Sequence, residues 1–239
     1  MLTFDFRDKV VLVTGVARVG QIGHAVAQAF GQAGAKLVAA DRNAVAVAER
    51  VKEFKAMGIE ARPAAGDLTE ADVAALAVET AVKNFGRLDI LVNVAGGLTS
   101  YGPLTESTPD VFDREVSINL KTVYLMCRAS IAELAKSRGC IVNFASAAVL
   151  QPGAGLSVYG AAKGGVAGFT TSLAVDLWPQ GVRVNAIAPT MVRTSDNVAA
   201  AGDSPHYVEM KDIVNAVMFL ASDGSAAITG HLLPVTSGS

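Results

Sequence analysis

The chain has 239 residues, 51% of them apolar and 18% charged, a balance that excludes disordered, collagen-like and low-complexity architectures. Its 20 Lys and Arg against 22 Asp and Glu leave a formal charge of −2, so there is no basic field to hold nucleic acid or an anionic membrane.

At the N-terminus, Asp5, Arg7, Asp8 and Lys9 stand where a secretory leader needs an apolar run, and the expected location is the cytoplasm. Residues 10–14 (VVLVT) form a continuous β-branched run, the pattern of a strand buried on both faces. The run enters a turn with Gly15, Gly20 and Gly23, and helical periodicity follows over 22–33. Glycines there let the backbone approach a pyrophosphate, whose charge would be met by free N–H groups and the positive end of the helix. A tight turn needing positive φ accounts for the same residues. A second strand, 36–40, leads to Asp41, eighteen residues after Gly23. An acid at that place can accept the ribose hydroxyls of an adenosine, or it can cap the helix expected over 44–57.

A weaker strand at 60–65, a helix at 70–85 and a strand at 88–93 come next, the last ending in Asn93-Val94-Ala95-Gly96-Gly97. Small residues there leave room for a ligand beside a switch in strand order, or simply make a turn. One long helix is expected over 109–137, then a strand over 140–144. The stretch 139–162 lacks any charge, but Asn143, Ser146, Gln151 and Pro152 interrupt it well short of the ~18 apolar residues that spanning a membrane requires. A helix over 157–178, a strand over 182–187, a mobile loop over 195–205, a helix over 211–222 and a weak strand over 231–235 complete the pattern. Continuous apolar strands alternating with helices predict an α/β fold, a doubly wound parallel sheet of about seven strands with helices on both faces. No linker or repeat divides the chain, which predicts one domain over 1–239. Cys127 and Cys140 read as reduced core thiols, and the dispersed His24, His206 and His231 give no metal spacing.

Tyr159 and Lys163 are four residues apart, on one face of their helix. A cation ~5 Å from a phenol, at an effective dielectric of ~20, contributes about 3 kcal/mol, or roughly two pKa units below the ordinary ~10. A phenol tuned in this way can exchange a proton with a substrate oxygen near neutral pH.

With this pair in place, the sequence resembles the short-chain dehydrogenase/reductase family over nearly its whole length. The resemblance rests on Thr14-Gly15 at the glycine turn, Asp67-Leu68, the NVAG of Asn93 to Gly96, Asn119 in SINL, Ser146 thirteen residues before Tyr159, Tyr159-x3-Lys163, and Val184 to Pro189. It implies a Rossmann-type single domain and hydride transfer between nicotinamide C4 and a small-molecule ketone or secondary alcohol. Tyr159 would be the general acid or base, and Ser146 would bond the carbonyl oxygen. Lys163 would lower the Tyr159 pKa and bind the nicotinamide ribose, and Asn119 would hold a water linking Lys163 to solvent. By the same resemblance Gly15, Arg18, Gln21 and Ile22 would cradle the phosphates. Asp67 and Leu68 would lie near the adenine, and Asn93, Ala95 and Gly96 beside the adenosine ribose. Pro189 to Thr194 would fold over the nicotinamide, with Val192 at its carboxamide.

Asp41 points to NAD, because a carboxylate there repels a 2′-phosphate; Arg18 and Arg42 could each pair with that phosphate, which keeps NADP open. The turn is two residues longer than the family's TG-x3-G-x-G, with Gln21 at the usual middle glycine, and Thr190 replaces the glycine after Pro189. The segment 194–210 is short for a substrate lid and predicts an open site. A 3-oxoacyl-acyl-carrier-protein reductase-like enzyme and a non-catalytic nucleotide-binding sensor are the alternatives. By the same resemblance the helices over 109–137 and 157–178 would pair across a two-fold axis in a homotetramer or homodimer, and Phe169 and Trp178 read as packing or subunit-interface residues.

Overall fold

The computed structural model describes residues 4–204 and 206–237. Seven strands form one sheet: β1 (Val10–Thr14), β2 (Lys36–Asp41), β3 (Ala61–Ala65), β4 (Ile90–Asn93), β5 (Cys140–Phe144), β6 (Arg183–Pro189) and β7 (Leu232–Val235). Their order is β3-β2-β1-β4-β5-β6-β7 and every neighbouring pair is parallel, the Rossmann-type arrangement. Both weakly patterned strands are present. The strand order reverses between β1 and β4, which opens a crevice at the carboxyl edge of the sheet.

All five residues of β1 are buried, as the unbroken apolar run requires. Val11 and Val13 face a layer with Val26 and Phe30 of α1 (Ile22–Gln32) and Ile213 and Val217 of α8 (Met210–Ala221). Val10 and Leu12 face the other layer, with Ala77 and Ala81 of α3 (Ala71–Phe85), Met126 and Leu134 of α5 (Thr122–Ser137) and Val166 of α6 (Ser157–Leu177). Each fully buried Val, Leu, Ile or Phe contributes about 1.5–3 kcal/mol, so these two layers fix the sheet on which the site is mounted. Both cysteines are buried, and desolvation pushes the Cys127 thiol up to about 12 and the Cys140 thiol up to about 11. No helix among the described residues is long and apolar enough to cross a membrane.

Two expectations are corrected. The helix expected over 109–137 is α4 (Pro109–Val116) and α5, joined by a π-helical turn, Ser117–Lys121. The Asn119 side chain donates to the Glu115 carbonyl at 3.1 Å, taking the acceptor that a regular α-turn would offer the Asn119 backbone N–H. The segment 195–205 is not a mobile loop: it begins with the short helix α7 (Ser195–Ala201), while Pro205 lies outside the described residues. Thr194 Oγ1 caps α7 by accepting from Asn197 N at 3.2 Å, and the Tyr207 hydroxyl reaches Asn197 O and Gly202 O at 3.0 and 2.8 Å. Capping and tertiary contacts form this helix without any apolar periodicity.

Candidate active site

The glycine turn leaves β1 at Thr14, whose Oγ1 accepts from Val94 N and Ala95 N, both at 3.0 Å. This ties the turn to the end of β4 across the crevice. Gly15 has φ 76°, and a Cβ on it would lie 3.1 Å from the Ala95 backbone. At Gly23 a Cβ would lie 2.2 Å from Gly15 O, so α1 approaches β1 as closely as it does only because that position lacks a side chain. Ile22 opens α1 and packs against the core. His24, for which the sequence offers no role beyond the absence of metal spacing, is buried behind the turn; its Nδ1 accepts from Gly20 N at 3.5 Å and its Nε2 lies 3.1 Å from Glu53 Oε1.

Asp41 ends β2, and its two oxygens accept from Ala17 N at 3.1 Å and Asn43 N at 3.2 Å. The cap of α2 (Ala44–Ala56) is Asn43, which accepts from Ala46 N at 3.1 Å. Asp41 therefore tethers the glycine turn instead of capping the helix. Asp67 accepts from Thr69 N and Thr69 Oγ1 at 2.9 and 2.8 Å, and these bonds hold its carboxyl below the usual range, helped by Arg42 and Lys121. Leu68 beside it is buried in the core. The Asn93 side chain turns inward and donates to Asn143 Oδ1 at 2.9 Å, so only its main chain is open to the crevice.

The short segment after β6 reaches back to the glycine turn. Arg18 forms an ion pair with Asp196, and Gln21 Nε2 donates to Ser195 Oγ at 3.0 Å, so the first turn of α7 bridges to the lengthened loop. Pro189 is half-buried at the end of β6, Val192 is buried, and the Val192 carbonyl accepts from Thr194 N and Asn197 Nδ2, both at 2.8 Å.

At the other side of the crevice, Ser146 follows β5 and accepts from Ala148 N at 3.2 Å. Tyr159 and Lys163 lie on α6, with the Lys163 ammonium 6.0 Å from the Tyr159 ring centre and donating to Phe144 O at 2.8 Å. Lys163 is buried, and desolvation pushes it down to about 8, opposed by the charge of Glu115. Burial raises the Tyr159 phenol above its ordinary value; Ser146 acts in the opposite direction and Glu115 adds to the rise. The expected lowering of Tyr159 by Lys163 is thus corrected: loss of solvent outweighs every other influence on the phenol.

Asn119 is fully buried, and its amide forms a two-way clip on the chain after β4: Oδ1 accepts from Gly97 N at 2.9 Å and Nδ2 donates to Gly97 O at 3.0 Å. A Cβ on Gly96 would stand 2.6 Å from Asn119 Oδ1, so that glycine is the condition for the clip. Glu115 was also missed by sequence reasoning. It is fully buried on α4, where its carboxylate accepts from Thr99 N at 3.2 Å, from Asn119 Nδ2 at 3.2 Å and from the Thr99 hydroxyl.

A parallel α/β sheet with a glycine turn at its switch point, and a half-buried Tyr beside a buried Lys across the crevice, defines a nucleotide-type oxidoreductase architecture. The family model for short chain dehydrogenases matches residues 9–204, and the chain belongs to that family. It is 34% identical to the (2S)-[(R)-hydroxy(phenyl)methyl]succinyl-CoA dehydrogenase subunit BbsD of Thauera aromatica, over 97% of this chain and 96% of that one. It is 31% identical to the 3-oxoacyl-[acyl-carrier-protein] reductase FabG of Thermotoga maritima, over 96% and 97% of the two chains. Among solved structures, NAD+-bound xylitol dehydrogenase superposes with a TM-score of 0.89 at 28% identity, covering 98% of this chain and 99% of the other. The protein is an oxidoreductase of this family.

Proposed function

We propose that the protein is an NAD(P)-dependent dehydrogenase or reductase of a small ketone or secondary alcohol. The observation that carries the reading is the Tyr159–Lys163 pair beside Ser146, in a sheet whose strand order reverses next to the glycine turn. The residues present fit a dinucleotide. The buried Thr190 Oγ1 next to Pro189 has no partner among the described residues, and Gly15, Gly23 and Gly96 let the turn, α1 and the chain after β4 close in on one another at the crevice. Gly15, Arg18, Gln21 and Ile22 would hold its phosphates. Asp41 would hold the adenosine ribose, with Asp67 and Leu68 beside the adenine. The main chain of Asn93 to Gly96 and the segment Pro189 to Thr194 would complete the cleft. When bound, the nicotinamide supplies or accepts the hydride.

In this reading Ser146 donates to the carbonyl oxygen of a ketone and stabilises the negative charge that develops there. The Tyr159 phenol, held protonated by burial, gives its proton to that oxygen, and for an alcohol the same group takes the proton away. Lys163, fixed by Phe144 O, keeps two N–H donors for the ribose hydroxyls and for the phenol. The Asn119 clip holds the floor of the crevice, and the protein would work as a homodimer or homotetramer. A 3-oxoacyl-acyl-carrier-protein reductase-like activity is the second reading, supported by the FabG relatives. Turnover of NADH and NADPH against ketones, alcohols and acyl thioesters tests both readings; absence of turnover on the whole panel would favour a non-catalytic nucleotide-binding role.

NAD is the preferred cofactor in this proposal, because the Asp41 carboxylate at the end of β2 would repel a 2′-phosphate. Asp41→Asn keeps an acceptor for Ala17 N but removes the charge. The ratio of kcat/KM for NADPH over NADH should rise by roughly tenfold or more, about 1.4 kcal/mol of relieved repulsion. An unchanged ratio would remove Asp41 from cofactor choice.

A further inference from the structure

We propose that Glu115 is a positioning residue that serves as the buried counter-charge of the Tyr159–Lys163 pair and holds the protons of that pair in place. The inference rests on the reading of Tyr159 as acid and base, and adds a residue to which that reading assigns nothing. Glu115 has no solvent-exposed surface, and a buried carboxylate is costly unless it is bonded and faces positive charge. Its bonds are accounted for by Thr99 and by Asn119 Nδ2, all offered to it as donors, so the acceptor-only anion is the form this pocket suits. No cation forms an ion pair with it among the described residues, and Lys163 is the one Lys or Arg among them that is buried.

Helix α4 and the π turn pack directly on α6, which brings Glu115 and Lys163 into one interior. The other charges on the surrounding elements are removed from it. Glu106, Asp110, Asp113, Arg114, Lys121 and Arg128 are exposed, Glu133 pairs with Lys136, and Arg183 opens β6 at the opposite edge of the sheet. Glu115 is accordingly the one charged group that acts on both members of the pair, and for each it favours the protonated form. A carboxylate so placed makes Tyr159 a weaker base and keeps the buried Lys163 charged. It also explains why the π turn presents Asn119 to the Glu115 carboxylate as well as to Gly97: the clip fixes the anion.

The test is the pH dependence of kcat/KM on any active substrate, with wild type, Glu115→Gln and Glu115→Asp. Removing the negative charge lets the protons leave at lower pH. The limb governed by the Tyr159–Lys163 pair should move down by about one pH unit in Glu115→Gln, for oxidation and reduction alike. Glu115→Asp keeps the charge, so its midpoint should stay at the wild-type pH even where its rate falls. A merely structural role would lower the plateau at every pH and leave the midpoint in place, and that result overturns the proposal.

A second readout needs no turnover. The tyrosinate absorbance titration of Tyr159, isolated by subtracting Tyr159→Phe from each background, should move in the same direction. A shift there without activity on any substrate would sustain Glu115 as counter-charge and overturn the dehydrogenase reading. Coincident titrations in an active enzyme would do the reverse. Should Glu115→Gln not fold, Glu115→Met removes the charge at similar volume and should give the same downward shift. If neither neutral variant folds while Glu115→Asp does, the carboxylate belongs to the fold and the proposal fails.

Discussion

Tyr159→Phe is expected to lower kcat by about 10²- to 10⁴-fold, the usual contribution of a positioned general acid or base. The substitution removes one oxygen and keeps the ring, which is half-buried on α6 with the Lys163 ammonium 6.0 Å from its centre. Packing and the cation–ring contact survive, so the midpoint of thermal unfolding should change by no more than a few degrees. Cofactor affinity should also hold, because the groups assigned to the phosphates and the adenosine lie across the crevice at Gly15 to Ile22 and Asp41. Steady-state rates, read beside NADH binding by fluorescence, separate these effects. Wild-type turnover in the variant would show that another group handles the proton. Loss of binding together with turnover would show that the hydroxyl matters to the cofactor and not only to the reaction.

The second large effect is expected at Gly23. Alanine in a helix is ordinarily better than glycine by about 1 kcal/mol, so local propensity alone predicts stabilisation. Here the new Cβ would meet Gly15 O at 2.2 Å, Gly15 C at 2.7 Å and Thr14 O at 3.0 Å, all of them backbone atoms that cannot swing aside. Overpacking of this kind typically costs about 1–3 kcal/mol and occasionally more, so sterics win and α1 must move away from β1. Gly23→Ala should lower the unfolding midpoint by several degrees and weaken NADH binding by an order of magnitude or more, because the shifted helix no longer presents its first N–H groups to the turn. Gly168→Ala on α6 is the control: nothing lies within 4 Å of its Cβ position, and the variant should be as stable as wild type or more so. If Gly23→Ala matched this control in both measurements, the close approach of α1 to β1 would carry no functional weight.

The sheet was legible in the sequence because its central strands are buried on both faces and so read as unbroken runs such as VVLVT and CIVNF, while the partly exposed β3 and β7 carry only a weak pattern. Composition distinguishes such runs from helices without any knowledge of their neighbours. The glycine turn and the Tyr159–Lys163 spacing were legible for a related reason, since each is a short-range geometric condition. What escaped depends on contacts between distant segments. The π turn is made by a side chain taking a carbonyl four residues back, a choice invisible to apolar periodicity, which continues through it. Helix α7 is formed by a cap at Thr194 and by Tyr207, which is ten residues from the Asn197 carbonyl it binds. Glu115 sits in PDVFDREV among acids and a base that are exposed, and nothing local distinguishes it from them; only the fold buries it. Asp41 was recognised as important on sequence position, but its bond to Ala17 N required the turn to be seen.

Helix α7 has no buried residue, and the contacts that hold it are polar ones from Arg18, Gln21, Thr194 and Tyr207. The two apolar layers that stabilise the sheet do not include it. Substitutions along its outer face therefore trade little folding energy, whereas the same changes in a strand would put the whole domain at risk. The segment that reaches the glycine turn is free to diverge between descendants of one ancestral chain, and under the proposed function a change of substrate can arise there while the sheet, the turn and the groups assigned to the proton stay as they are.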